Sequence, residues 1–573
     1  MHYDDLLVIL GEFGSYQKRQ YLLICLVTIS TTLQTLSIVF YGAVPEHHCK
    51  VPDAYVDYLN LNYGNVTQDE LLNLTIPWIQ DDDGTLHRSS CNIYDYEKWT
   101  ENLEVGSGAH FVNNATKDES NITPGLVKGN MSEVACPEGR VYSQEVFTAT
   151  IVSDFDLTCE NKVFLSTCKS IFFVGKLAGA ILSGIISDRF GRRPTFLFSV
   201  CLQTLSGTLV MLSPNIFVYT VIYGIQGIFE GSVFLTSYTI GMEFVGKSKR
   251  KLAGFGNMAT FSMGYCVLSL YAYFVRDWRN LALTVSLPGL LYCLYYFFFP
   301  ESVRWLLAHG RNQEAEVIIN KVAKVNKVEL EQGILEKLFE EKSEMQTTLH
   351  TPIDMFRTWD RAKITLNISF NWVVNSIVYY GIALNTQGLG GNIYLNFALL
   401  GLAELPGFAF ALLLLDRIGR RKMSLLLLTI AGCGCIVSGV LPADLEWLSI
   451  TFALIGKVGI GASFAVIYLI TAETFPTVMR NLSLGFSSAM SRVGGIFAPQ
   501  ILLLSSVWGP LPFVIFGAAS ILAGLLIMLI PETLNRPLCQ TVEDFDDWIS
   551  GSTTHNDDTG KKIDGVSIAE KEV

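Results

Sequence analysis

Apolar runs of membrane-crossing length dominate the chain. Twelve stretches of about 18 to 25 mainly apolar residues recur along it, each able to cover a hydrocarbon core of about 30 Å as a helix. They fall near 20–42, 163–186, 195–213, 216–242, 252–275, 280–299, 364–384, 393–415, 423–441, 446–470, 482–506 and 510–530. Backbone polar groups in lipid must be satisfied within their own segment, so helix is the reading for each run. Between them lie a first polar segment of residues 1–19, a long polar insertion at 43–162, a linker at 300–363 and a polar tail at 531–573. The opening twenty residues are polar and charged, which predicts a retained first helix in place of a cleaved leader.

The pattern itself repeats. Asp188 of DRFGRR and Asp416 of DRIGRR stand 228 residues apart, Glu243 of EFVGKSKR and Glu473 of ETFPTVMR 230, and Pro300 of PES and Pro531 of PET 231. Arg250 and Arg480 each follow their Glu by seven residues. Three matches at a nearly fixed offset predict two similar six-helix halves: an all-α membrane protein with helices 163–299 completing the first half and 364–530 forming the second. In each turn, Asp188, Arg189, Gly191, Arg192 and Arg193, or Asp416, Arg417, Gly419, Arg420 and Arg421, combine charges with a glycine where a side chain would obstruct a tight reversal. Such a turn can pair with neighbouring helix ends and act as a conformational switch; the plainer alternative is that the basic residues only mark the inner membrane face.

Half of the 573 residues are hydrophobic and 16% are charged, the composition of a membrane protein. The net charge of −12 is concentrated in one place, because residues 43–162 hold 20 Asp and Glu against 7 Lys and Arg. No nucleic-acid-binding footprint follows. The same insertion carries sequons at Asn65, Asn73, Asn114, Asn121 and Asn130, and an even set of cysteines, Cys49, Cys91, Cys136 and Cys159. Together they predict an extracellular glycosylated loop with two disulfides, in one of three possible pairings. Further sequons at Asn367 and Asn481 fall at inner helix ends and are read as coincidental. Lys and Arg cluster at 189–193, 247–251 and 417–422 but are missing from the short turns 213–215, 389–391 and 508–510. That asymmetry puts both termini in the cytoplasm of a multi-pass plasma-membrane protein.

Gly241 to Ser248 satisfies the GxxxxGK[ST] spacing of a phosphate-binding loop, but it closes a membrane helix and has no strand before it, so no ATP site is expected. No metal-ligand cluster and no cofactor motif appears, and an enzyme is not expected.

Five ionisable residues sit near mid-depth, where a charge needs a partner or a water-filled cavity: Lys176, Glu230, Glu404, Lys457 and Arg492. Lys176 and Glu404 each lie twelve residues before the Asp of their turn. If Glu230 takes Lys176 and Glu404 takes Lys457, Arg492 is left to receive a carboxylate, which its planar fork holds bidentately. In the alternative, Arg492 bridges to Glu404 structurally. Trp372, Tyr379, Tyr380, Tyr468, Phe229 and Phe234 could offer ring faces to a quaternary ammonium, although singly each is as readily a packing residue.

PEHHC at 45–49, SDFDLTCE at 153–160, FFPESVRWLL at 298–307 and AETFPTVMRN at 472–481 carry a resemblance. The chain resembles the major facilitator superfamily, and within it solute carrier family 22, from about residue 5 to 540. The large loop after helix 1 separates it from the sugar porters, which share the turn motifs. FVRDWR at 274–279 and LGGNIYLN at 389–396 look most like the carnitine branch. The resemblance implies alternating access about a central site and a secondary transporter of small organic zwitterions or cations, with carnitine first among them. Organic anions or a polyspecific set of organic cations are the alternatives, and a non-transporting receptor on the same fold is the reading from another class. SRVGG at 491–495 puts Arg492 where anion and carnitine carriers have Arg and cation carriers have Asp. Ile470 and Lys176 depart from the carnitine pattern. The coupling ion, Na+ or H+, is left open by the residue types.

Overall fold

In a computed structural model, the described residues are 3–63, 66–80, 86–97, 100, 132–330, 333–340, 351–536 and 539–550. All twelve apolar runs are helical. We label them α1 (Ser15–Leu36, continuing as Ile38–Tyr41), α2 (Lys162–Phe190), α3 (Arg192–Leu209), α4 (Ile216–Phe244), α5 (Arg250–Phe274) and α6 (Trp278–Ser286, continuing as Gly289–Cys293 and Tyr295–Phe298). The second half holds α7 (Trp359–Leu384), α8 (Ile393–Ile418), α9 (Arg420–Val440), α10 (Glu446–Thr474), α11 (Arg480–Leu502) and α12 (Leu511–Ile527). Eight of the twelve are long and apolar enough to cross a membrane by length and composition alone. Three of the other four, α7, α11 and α12, fall short for visible reasons. In α11, Ser483, Ser487, Ser488, Ser491 and Arg492 are buried towards the protein interior. In α7, Asn371 and Asn375 are buried and donate back to the carbonyls one turn earlier, 3.0 and 2.8 Å away. α12 is short, at 17 residues. In α6, which is among the eight, Pro288 comes after Leu287 and interrupts the helix, since a proline supplies no N–H to the preceding turn.

The repeated turns are built alike. Asp188 lies 2.8 Å from Arg192, whose Nε is 3.6 Å from Glu243; Asp416 lies 3.1 Å from Arg420, whose Nε is 3.0 Å from Glu473. Glu301 of PES accepts the backbone N–H groups of Arg192 (2.9 Å) and Arg193 (3.2 Å), and Glu532 of PET accepts those of Arg420 (3.0 Å) and Arg421 (3.2 Å). Each carboxylate therefore neutralises the donor end of α3 or α9. Gly191 at φ 106° and Gly419 at φ 91° make the reversal. Arg189 and Arg417 are exposed. Gly241 to Phe244 finish α4, with no strand before them, so the phosphate-loop spacing has no phosphate-loop fold.

Two peripheral features go beyond the sequence reading. A short helix, Tyr3–Ile9, buries Leu6 and Leu7, and Leu10 just beyond it is buried as well; Leu6 and Leu10 share a cluster with residues of Val303–Ala308 and Asn312–Asn326 of the linker. The expected polar tail contains a helix, Val542–Ser550, whose Asp546 is 2.5 Å from Arg361 Nε on α7. Phe545 of this helix is buried among residues of the second half. Its alternating hydrophobic and acidic residues give an amphipathic face that a composition count misses.

Residues 42–165 form a separate unit. Among its described residues are three antiparallel strand pairs: β1 (His47–Cys49) with β6 (Arg140–Tyr142), β2 (Trp78–Gln80) with β3 (Leu86–Arg88), and β4 (Asn92–Tyr94) with β5 (Glu133–Ala135). Cys49 bonds to Cys136 and Cys91 to Cys159, selecting one of the three pairings. Asn73 accepts from Arg88 Nε at 2.9 Å. Asn65, Asn114, Asn121 and Asn130 lie outside the described residues. In the helical unit, the amide of Asn367 donates to the Leu526 carbonyl at 2.6 Å.

Candidate functional site: a central aromatic and cationic cavity

An open cavity, whose empty space counted out to solvent is about 690 Å³, lies between the halves, lined by residues of α2, α4, α5, α7, α8, α10 and α11. The aromatic wall comprises Phe173, Phe234, Phe261, Tyr379, Tyr380, Phe408, Phe464 and Tyr468, and the ionisable wall Lys176, Glu404 and Arg492. The halves meet beyond it, at the helix ends opposite the repeated turns. There Phe40 packs on Tyr394 and Phe397, with ring centroids 5.6 and 5.0 Å apart. Ser170 donates to the Ile496 carbonyl at 2.7 Å and receives the Gln500 amide at 2.9 Å.

The mid-depth charges pair as the first of the two sequence readings expects. Lys176 is 2.8 Å from Glu230, and Thr35 donates to the other carboxylate oxygen at 2.8 Å. Lys457 is 3.0 Å from Glu404, whose second oxygen accepts from Ser262. Lys457 also donates to Tyr265 Oη at 3.1 Å, and its ammonium lies 3.3 Å from the Tyr379 ring centroid. Each carboxylate is thus desolvated only with a cation and a hydroxyl in place, the condition under which such a pair is tolerated.

Arg492 differs. It donates to the carbonyl of Ser488, one turn back, at 2.5 Å and to the Ser488 hydroxyl. Among the described residues no carboxylate lies within salt-bridge distance of it, and Glu404 is committed elsewhere. Placed on the cavity wall, its guanidinium is the net positive charge of the site.

Not every anticipated residue reaches the cavity. Trp372 is fully buried behind it, donating to Thr471 Oγ1 at 2.9 Å and standing edge-on to Tyr468 at 4.4 Å. Glu230 is fully buried behind Lys176, and Lys457 behind Glu404; none of the three inner residues lines the wall. Phe229 faces Phe198 at 6.5 Å. The sequence reading missed Phe173, Met258, Phe261, Phe408 and Phe464. Helical spacing was the available signal: Phe173 precedes Lys176 by three residues and Phe464 precedes Tyr468 by four, so each shares its face.

Residues 113–545 match the family model described as "Sugar (and other) transporter". The chain is 39% identical over 556 residues to the "Organic cation transporter protein" of Drosophila melanogaster, covering 96% of this chain and 95% of the relative. It is 33% identical over 545 residues to the human "Organic cation/carnitine transporter 2", covering 94% and 93%. The chain belongs to the major facilitator superfamily, in solute carrier family 22. It is therefore a multi-pass membrane transporter and not an enzyme. Its fold is that of the superfamily: the xylose transporter XylE from E. coli in an inward-open conformation superposes with a TM-score of 0.54 at 18% identity, over 70% of this chain and 93% of that one. Mouse "Solute carrier family 22 member 4" is 33% identical over 545 residues, covering 94% of each chain.

Proposed function

We propose that the protein moves a small organic zwitterion across the plasma membrane by alternating access, with carnitine the leading cargo. In this reading Arg492 holds the carboxylate, while the faces of Tyr380, Phe464 and Tyr468 receive the trimethylammonium group. The observation that carries it is the Arg492 guanidinium on an aromatic wall, with no carboxylate in reach among the described residues. Lys176 and Lys457 are each neutralised by a glutamate, so the site as a whole carries one positive charge and attracts an anionic group. Glu404 shapes the wall by fixing Lys457; Phe234 supplies a further ring. The relatives named as organic cation transporters support a second reading, a polyspecific organic cation carrier. The positive site favours the zwitterion over it.

In this proposal residues 1–19, 300–363 and 531–573 are cytoplasmic and 43–162 is the glycosylated extracellular loop. The Lys and Arg distribution and the sequons support that orientation. The repeated charge turns then lie inside, where Asp188, Arg192 and Glu243 and their counterparts Asp416, Arg420 and Glu473 can be made in one state and released in another.

The test is uptake of radiolabelled carnitine, ergothioneine, tetraethylammonium and an aromatic anion in transfected cells, with and without sodium, for wild type and Arg492→Ala. Carnitine uptake that depends on Arg492 is the expected result. Carnitine uptake unchanged in the variant would sink the assigned role, and tetraethylammonium as the main cargo would favour the second reading.

A further inference from the structure

The turn between α4 and α5 carries a serine whose surroundings neither the family turn nor the cavity uses. Ser248 is exposed and sits in the run Lys247-Ser248-Lys249-Arg250-Lys251. Its hydroxyl donates to the carboxylate of Glu12, and its backbone N–H points to the same carboxylate at 3.4 Å. The Gly246 N–H donates to the Glu12 carbonyl at 3.0 Å, and a Cβ on Gly246 would come within 2.6 Å of Glu12 Cβ. Eight residues earlier, Asp4 bridges Arg250 at 2.7 Å and Arg304 of the linker. Residues 3–14 are thus strapped across the turn, with Ser248 and Arg250 as its two polar anchors. Among the described residues the second half shows no equivalent serine contact: Arg480, the counterpart of Arg250, donates to Thr477 at 3.2 Å, and the Thr477 N–H donates to the Cys539 carbonyl at 2.9 Å.

We propose that Ser248 is a phosphoacceptor for a basophilic serine kinase, and that its phosphorylation releases the strap of residues 3–14. The cations flanking the serine are the recognition feature, and its exposed turn is the accessible one. The Ser248 oxygen would attack the γ-phosphorus of ATP; the new O–P bond forms as the bond to the β,γ-bridging oxygen breaks, ADP leaves, and the hydroxyl proton passes to the kinase's carboxylate. The product cannot donate to Glu12. Its oxygens only accept, and their negative charge faces the Glu12 carboxylate at the distance where the hydroxyl had bonded. The same phosphate competes with Asp4 for Arg250, so both anchors are weakened by one modification. Ser248's hydrogen bond already holds the Glu12 carboxyl below the usual range, in keeping with an ionised partner at this contact.

The inference rests on the proposed cytoplasmic placement of this turn, and the experiment separates the two. Full-length protein in lipid nanodiscs is incubated with Mg·ATP and the catalytic fragment of protein kinase C. Phosphopeptides are mapped, and hydrogen exchange of residues 3–14 is followed by mass spectrometry. Phosphate on Ser248 with amide exchange in this segment faster by about tenfold is expected. Ser248→Glu should reproduce the faster exchange without kinase, while Ser248→Ala should accept no phosphate at this turn. Absence of phosphate on Ser248, or phosphate with unchanged exchange, would overturn the proposal. A tag on residue 1 that antibody reaches in unpermeabilised cells would overturn the cytoplasmic placement and this inference with it; a tag reached only after permeabilisation confines any failure to the serine.

Discussion

Lys176 on α2 lies 2.8 Å from Glu230 on α4, and Glu404 on α8 lies 3.0 Å from Lys457 on α10: equivalent helices carry the same buried pair with its polarity reversed. Because all four side chains are almost fully buried, the removal of one member leaves an uncompensated charge in a dry interior.

Glu404→Gln and Lys457→Met should each destabilise the protein by about 3 to 5 kcal/mol, whereas Glu404→Gln combined with Lys457→Met should recover most of the loss. Thermal melting of detergent-solubilised protein, followed by size-exclusion fluorescence, reads this directly. Equal melting of the single and double variants would show that the pair is not coupled.

The first-half pair also sets what the rings can do. The Lys176 ammonium lies 5.8 Å from the Phe173 ring centroid and 5.9 Å from that of Tyr380, so it competes with a substrate cation for these rings. Replacing the pair with Lys176→Val and Glu230→Gln frees those faces and withdraws a cation from the wall. Tetraethylammonium should then inhibit uptake about three- to thirtyfold more strongly, the span of a cation–π contact worth about 0.7 to 2 kcal/mol. Dose–response curves for wild type and the double variant provide the check, and an unchanged midpoint would remove Lys176 from cation selection.

The two halves, the turns and the depth of the buried charges were legible because each is one-dimensional information, whereas the pairing of those charges stood between two readings until the structure gave it. A spacing of 228 residues, an Asp followed by Arg residues, and equal counts from Lys176 and Glu404 to their turns need no coordinates. The cavity wall was only partly legible. Trp372 and Tyr468 lie in the same aromatic group, but only the packed structure separates the one that faces the cavity from the one whose indole is held by Thr471. Phe261 and Phe408 look like ordinary lipid- or core-facing residues in sequence. Their place on the wall follows from how α5 and α8 meet across the two halves, and no local pattern encodes that.

Gly191 and Gly419 make the repeated turn testable. Both occupy positive φ, and a Cβ would come 2.4 Å from Glu301 at the first and 2.9 Å from Glu532 at the second. Gly191→Ala and Gly419→Ala should each cost about 1 to 3 kcal/mol, and both should impair transport by pushing the carboxylate off the donor end of α3 or α9. Gly184→Ala, where nothing lies within 4 Å of a new Cβ, is the control and should stay near wild type. Surface expression and initial uptake rate separate misfolding from slowed cycling.

Acid sensitivity in the 42–165 unit should arise at Asp156. Burial pushes its carboxyl up, but the hydrogen bonds from Tyr142 at 2.6 Å and Arg140 at 2.7 Å outweigh that and hold it below the usual range. A carboxyl whose folded value is depressed contributes stability above its unfolded value and loses it as pH falls through the folded value. The contact tying β6 to the segment after Ile151–Phe155 should therefore be intact at neutral pH and weaken only below the ordinary carboxylate range. Asp156→Asn should remove that dependence, giving a weaker contact at neutral pH with little further change on acidification. Limited proteolysis of the full-length protein between residues 140 and 160, at neutral and acidic pH with an acid-tolerant protease, tests this. If the wild type and Asp156→Asn lose protection in parallel, the acid response originates at another group.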